Sequence, residues 1–176
     1  MGGRAKGLLR LASTETIVDR WITLFRGIGV ESVLVGRHAD YMHYEGRGLR
    51  MLDDEPAGRG PLGGLIALLR SAGSRPALAV ACDMPFVSEA LLLELATFSE
   101  HAPAVAPRRM ERWEPLFARY DATRVLAAAV ERQRSGLLSL QGLLDEVDAV
   151  SLPLRREERG ELDDWDTPED RQTRPG

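Results

Sequence analysis

The sequence predicts a doubly wound α/β fold: a mostly parallel sheet covered by helices on both faces, in three layers. Three observations predict it. Short β-rich apolar runs alternate with longer amphipathic stretches along the chain. The run from Pro76 to Cys82 (Pro-Ala-Leu-Ala-Val-Ala-Cys) is continuously apolar, as a strand buried on both faces of a parallel sheet must be. Glycine or aspartate follows the predicted strands at Gly36, Asp53, Asp54 and Asp83. The carboxyl ends of parallel strands are where such sheets bind their ligands, so these positions converge on one edge.

Taken in order, residues 14–27 read as a helix with Ile17, Val18, Trp21, Leu24 and Phe25 at helical spacing. Thr14 or Thr16 is its cap, and Gly27 and Gly29 stop it. Residues 31–36 form a buried strand and residues 49–52 a short second one. The segment 55–64, with two prolines and four glycines, reads as a loop, and Leu65 opens the next helix. After the strand 76–82, Ser88 caps a helix over 89–98. Strands follow at 102–107 and 116–120, helices at 122–132 and 137–144, and a last strand at 148–152. Residues 1–170 make one domain, and 171–176 are a frayed polar tail.

Composition narrows the function. A net charge of −4 in 176 residues removes the electrostatic footprint of a nucleic-acid binder. No apolar run reaches the roughly 18 residues of a membrane span. A single cysteine, Cys82, fits a reducing cytoplasm. His38, His43 and His101 lack metal-ligand spacing.

Lys6 is the only lysine against 22 arginines, and the chain has no asparagine, as codon bias against A/T would produce. A lysine kept under that bias supplies a compact charge that the planar guanidinium does not. Gly2 and Gly3 precede it and Gly7 follows, so backbone N–H groups and an ammonium can meet one phosphate. The alternative is a surface lysine with no role. Asp83, in Cys82-Asp83-Met84-Pro85, serves either as a helix-capping turn residue or as an oxygen ligand for Mg²⁺. Its place after the central strand favours the ligand. Asp164 and Asp166 alternate in an extended segment before Thr167-Pro168, a helix start; a shared face needs a cation or solvent between the two carboxylates. Residues 58–64 (Gly-Arg-Gly-Pro-Leu-Gly-Gly) read equally well as a substrate loop or a plain one.

The ordered set of these motifs resembles the molybdenum cofactor guanylyltransferase family, whose opening reads Leu-Ala-Gly-Gly, a few residues, then Arg-Met-Gly-Gly-x-Asp-Lys-Gly-Leu-Leu. Met1 to Leu9 resembles the second half of that opening. Asp54, Gly60-Pro61-Leu62, Asp83-Met84-Pro85, the stretch from Glu114-Pro115-Leu116 to Tyr120, and Asp164 to Asp170 resemble the rest. The resemblance implies a Rossmann-like nucleotidyltransferase fold and GMP transfer from GTP to a molybdopterin phosphate, with Mg²⁺ as cofactor. It places Gly2, Gly3 and Lys6 on the triphosphate, Asp54 on the nucleotide, and Asp83 on nucleotide and metal. Asp164 and Asp166 would border the pterin or the metal. It further implies a cytoplasmic enzyme forming a homo-oligomer or transient contacts with cofactor-biosynthesis proteins. A cytidylyltransferase on the same fold and a non-catalytic nucleotide- or pterin-binding protein are the alternatives.

The chain departs from the family pattern at Ala5 (Asp in relatives), Gly36 (often Asn) and Asp164-Trp165-Asp166 (usually Asn-x-Asn). The family's first strand and the Leu-Ala-Gly-Gly half-loop would precede Met1. The resemblance therefore implies unpaired edges in the sheet and an upstream coding segment.

Overall fold

Helix α1 (Ile17–Gly27) starts at Thr16, whose hydroxyl accepts from the Asp19 N–H while the Asp19 carboxylate accepts from the Thr16 N–H. This capping box satisfies two donors that the first turn leaves unpaired. The structure, a computed structural model, describes residues 6–11, 15–54 and 60–163, so Thr14 lies outside the described residues. A short helix α2 (Met42–Glu45) precedes α3 (Pro61–Ala72). Helix α3 begins at Pro61 and not at Leu65. Proline at the first helical position has a preset φ and no N–H to satisfy, and Gly60 turns the chain into it at φ +63°. Ser88, Asp121 and Ser139 cap α4 (Glu89–Thr97), α5 (Ala122–Arg134) and α6 (Leu140–Glu146).

Strands β1 (Val33–Val35) and β2 (Arg50–Leu52) pair in parallel. A second sheet holds β3 (Pro76–Val80), β4 (Ala104–Arg109), β5 (Arg112–Trp113), β6 (Phe117–Asp121) and β7 (Val150–Leu152). Its order is β3-β6-β4-β5, with β7 parallel to β4. Because β6 is antiparallel to both β3 and β4, the strands β3, β4 and β7 run in one direction. Strand β6 is the reversed one for a local reason: no crossover helix separates it from β4, only the β5 hairpin turning at Met110 and Glu111, both at positive φ. The continuously apolar β3 thus has an antiparallel partner, although it lies between helix layers as expected.

Period-two alternation sorts the layers. Ala77, Ala79, Ala118 and Tyr120 pack with α3, α5 and α6 on one face. Leu78, Val80, Phe117 and Leu152 pack with α1 and α4 on the other. Arg119, 4% exposed, points to the α4 face, where its guanidinium donates to the carbonyls of Phe98, Ser99 and Glu100 and closes the end of that helix. Among the described residues, no strand pairs with the edge of β1 opposite β2 or with the edge of β3 opposite β6. No described helix is long and apolar enough to cross a membrane.

Candidate active site

Lys6 opens a short 3₁₀ turn over Lys6–Leu8, and its ammonium lies 3.4 Å from Asp83 Oδ2 just past the carboxyl end of β3. The lysine side chain is about half exposed and the aspartate 22% exposed, so a ligand reaches both. The next residue explains how the two are held. The Gly7 N–H donates to the Tyr41 hydroxyl at 3.1 Å, and that hydroxyl lies 3.8 Å from Cys82 Sγ. Tyr41 therefore touches the residue after Lys6 and the residue before Asp83. A Cβ on Gly7 would stand 2.7 Å from the Tyr41 Oη, 2.8 Å from Val18 Cγ2 and 3.2 Å from Cys82 Cβ. Only glycine fits that approach.

Burial pushes the Tyr41 hydroxyl far above the usual tyrosine range, with neighbouring Cys82 adding to the rise. Burial likewise pushes the Cys82 thiol up, so both groups are neutral at physiological pH. The loop after Asp83 is clamped from α1: the Arg20 guanidinium donates to the carbonyls of Pro85 at 2.8 Å and Val87 at 2.7 Å. With Met84 and Val87 buried, the aspartate stands on a fixed loop.

Asp54 follows β2 and faces the start of α3, where Gly64 is packed so closely that a Cβ there would lie 3.2 Å from Asp54 Oδ1 and 3.0 Å from Val35 Cγ1. Asp54, Gly60, Pro61 and Asp83 line one cavity of 880 Å³ between β1 and β3. The predicted loop 58–64 is thus in part the first turn of a helix whose positive end meets a carboxylate. Asp53 turns away and pairs with Arg37 at 2.8 Å. Gly36 is at φ +89°, a conformation that disfavours a side chain.

The structure gathers Lys6 and Asp83 directly and puts Asp54 on the same cavity as Asp83. Gly2, Gly3, Asp164 and Asp166 lie outside the described residues. Arg109 donates to the Leu162 carbonyl at 2.7 Å and pairs with Asp163 at 3.3 Å. Sequence reading missed Tyr41 and Arg20, whose roles depend on contacts 34 and 65 residues away. Among the described residues, no three His, Cys, Asp or Glu side chains converge as a metal cage.

The MobA-like NTP transferase domain family matches residues 1–149. The chain belongs to this family. It is 33% identical over 96% of its length to the "Probable molybdenum cofactor guanylyltransferase" of Opitutus terrae, covering 86% of that protein. The fold is similar to that of the molybdopterin-guanine dinucleotide biosynthesis protein A of Archaeoglobus fulgidus, with a TM-score of 0.74 and 22% identity over 95% of this chain and 87% of that one. It is also similar to the 2-C-methyl-D-erythritol 4-phosphate cytidylyltransferase of Thermus thermophilus, with a TM-score of 0.69 and 17% identity over 95% and 90% of the two chains. Within this family of nucleotidyltransferases, the Lys6–Asp83 pair is the feature of the described residues best suited to a polyphosphate: one cation for the charge, and one carboxylate for a hard cation.

Proposed function

We propose that this chain transfers GMP from GTP to the terminal phosphate of a molybdopterin-type substrate, releasing pyrophosphate. An oxygen of that phosphate attacks the α-phosphorus, a new P–O–P link forms, and the bond to the β-phosphate breaks as pyrophosphate departs. The nucleophile is already ionised at neutral pH, so the reaction needs alignment and charge neutralisation more than a base. The observation that carries the reading is the Lys6–Asp83 pair at the carboxyl end of β3. Lys6 neutralises triphosphate charge, with Gly2 and Gly3 on the same phosphates. Asp54 and Asp83 orient the nucleotide, and Asp164 and Asp166 border the pterin.

Asp83 offers the hard oxygen donor that Mg²⁺ prefers, and substrate phosphates complete such a shell. When bound, Mg²⁺ supplies positive charge near the polyphosphate. The relatives' guanylyltransferase names support GTP as the donor. The likeness to a cytidylyltransferase fold and the Asp164-Trp165-Asp166 sequence make CTP the comparison nucleotide. We place the enzyme in the cytoplasm, as a homo-oligomer or in transient contact with cofactor-biosynthesis proteins. Incubation with molybdopterin, Mg²⁺ and either nucleotide tests the reading. Pyrophosphate release with GTP supports it; release with CTP alone, or binding without turnover, overturns it.

A further inference from the structure

After β7 the chain leaves the sheet and lies against α4 as a strap, residues 153–163. Its shape is held from within: the buried Glu158 carboxylate accepts from the Arg155 N–H at 2.7 Å and pairs with the Arg155 guanidinium at 3.3 Å. Three outside contacts hold it along its length. Arg155 pairs with Glu94 on α4 at 3.3 Å, and the Glu161 carboxylate accepts from the Ser88 N–H at 2.7 Å. Arg109 then holds the Leu162 carbonyl and the Asp163 carboxylate. Leu162 is buried in the same apolar cluster as Met84 and Val87.

The Glu161 contact fills a gap in the local sequence. At α1, Thr16 is the cap and Asp19, three residues on, accepts from the Thr16 N–H. At α4 the cap is Ser88, and the residue three on is Leu91, whose side chain accepts nothing. A carboxylate 73 residues away completes that capping box instead. Ser88 is also the far end of the loop that begins at Asp83. The Arg20 guanidinium donates to that loop's Pro85 and Val87 carbonyls, while Glu161 accepts from its last N–H, so donors and an acceptor hold it from separate elements. The strap's other anchor stands on the same edge of the sheet. Strands β3 and β4 run in one direction with β6 between them, which puts Arg109, at the carboxyl end of β4, on the edge that carries Asp83.

We propose that Glu161 is a positioning residue for Asp83, acting through the Ser88 N–H, and that Arg109 supports it by fixing the two residues that follow Glu161. Neither is a catalytic residue: both act on the backbone that carries the carboxylate. Groups that orient a ligating side chain from behind are worth about 10–100-fold in metal affinity or activity. The effect on turnover rests on the GMP-transfer reading. The restraint on the loop does not, and it is read without nucleotide.

The test compares the parent with Glu161→Ala, Glu161→Gln, Arg109→Ala and Glu94→Ala. Hydrogen exchange is read on the ligand-free proteins, and pyrophosphate release from GTP is read against Mg²⁺ concentration. Glu161→Ala is expected to speed exchange across residues 84–92 by about tenfold while β3 and β4 keep parental protection. Its turnover falls by about 10-fold or more, and half-maximal rate needs more Mg²⁺. Glu161→Gln recovers most of both, because the glutamine carbonyl still accepts from Ser88. Arg109→Ala moves both readouts in the same direction, and it replaces Glu161→Ala should that variant not fold. Glu94→Ala, which frees the strap only at Arg155, changes neither. Parental exchange over 84–92 in Glu161→Ala overturns the proposal. So does faster exchange with a parental rate and Mg²⁺ dependence, or a Glu94→Ala protein as impaired as Glu161→Ala. A parent that releases no pyrophosphate from GTP overturns the GMP-transfer reading instead, and the exchange result alone then decides the restraint.

Discussion

The Lys6 ammonium and the Asp83 carboxylate meet at 3.4 Å although 77 residues separate them in the chain. The pair is partly exposed, so it contributes little to stability, and under the proposed function its value lies in what it presents to a ligand. An ammonium beside a carboxylate at a strand end gives a polyphosphate–metal complex a partner for each charge.

Asp83→Asn keeps the shape of the side chain and removes its charge. The expected result is an unliganded Tm close to the parent's and turnover reduced by about 10²-fold or more, in line with losing a charged group that acts on developing charge. Lys6→Ala is expected to act similarly. Lys6→Arg is expected to recover part of the loss, because guanidinium keeps the charge but not the compact geometry. Pyrophosphate release together with thermal unfolding checks all three, and a fully active Asp83→Asn protein removes that carboxylate from the mechanism.

Gly7 and Tyr41 are expected to behave as one unit. Gly7→Ala forces a methyl against Tyr41, Val18 and Cys82, and overpacking of this kind costs about 1–3 kcal/mol. Tyr41→Phe removes the acceptor of the Gly7 N–H, and an unsatisfied buried donor costs about 1–3 kcal/mol. Because Phe also vacates the Oη position, the double variant is expected to lose less stability than the two single losses combined. Urea unfolding of the four proteins measures this, and strict additivity would separate the two residues.

Asp121 makes a pH prediction. Its carboxylate caps α5, and the Thr123 hydroxyl, with backbone N–H groups of Thr123 and Arg124, holds its carboxyl below the usual aspartate value. A depressed folded-state pKa contributes stability that is present above the unfolded pKa and lost as pH falls through the folded one. Asp121→Ala is therefore expected to cost about 1 kcal/mol at neutral pH. The difference from the parent is expected to narrow below about pH 4. Denaturant midpoints from pH 7 to 2.5 check it; a difference that grows in acid would reverse the sign.

Much of this was legible in the residues. Alternation and caps located α1, α4, β3 and β7 to within a few positions, because Thr16 and Ser88 cap locally and the β3 run is apolar throughout. The Lys6–Asp83 convergence followed from the rule that parallel strands gather their carboxyl ends. What stayed hidden depends on distant contacts. Gly63 and Gly64 read as loop residues and are helical, and at Gly64 close packing under Val35 and Asp54 rewards the missing side chain. Strand β5 has two residues and is fixed by α6: Trp113 donates to Asp145 at 2.7 Å and its backbone bonds Gln141. Tyr41 carries no local signal for its place beneath Gly7.

The central claim, a Mg²⁺-dependent guanine nucleotide site built on Lys6 and Asp83, is tested most directly by a thermal-shift titration of GTP and of CTP with Mg²⁺. The parent chain and Asp83→Asn are run side by side. A ligand at 100 times its dissociation constant stabilises the folded state by about 2.7 kcal/mol. The account predicts a Tm that climbs with GTP and Mg²⁺ in the parent, climbs less with CTP, and does not move in Asp83→Asn. A parent that ignores GTP, or an Asp83→Asn protein that responds as the parent does, would contradict it.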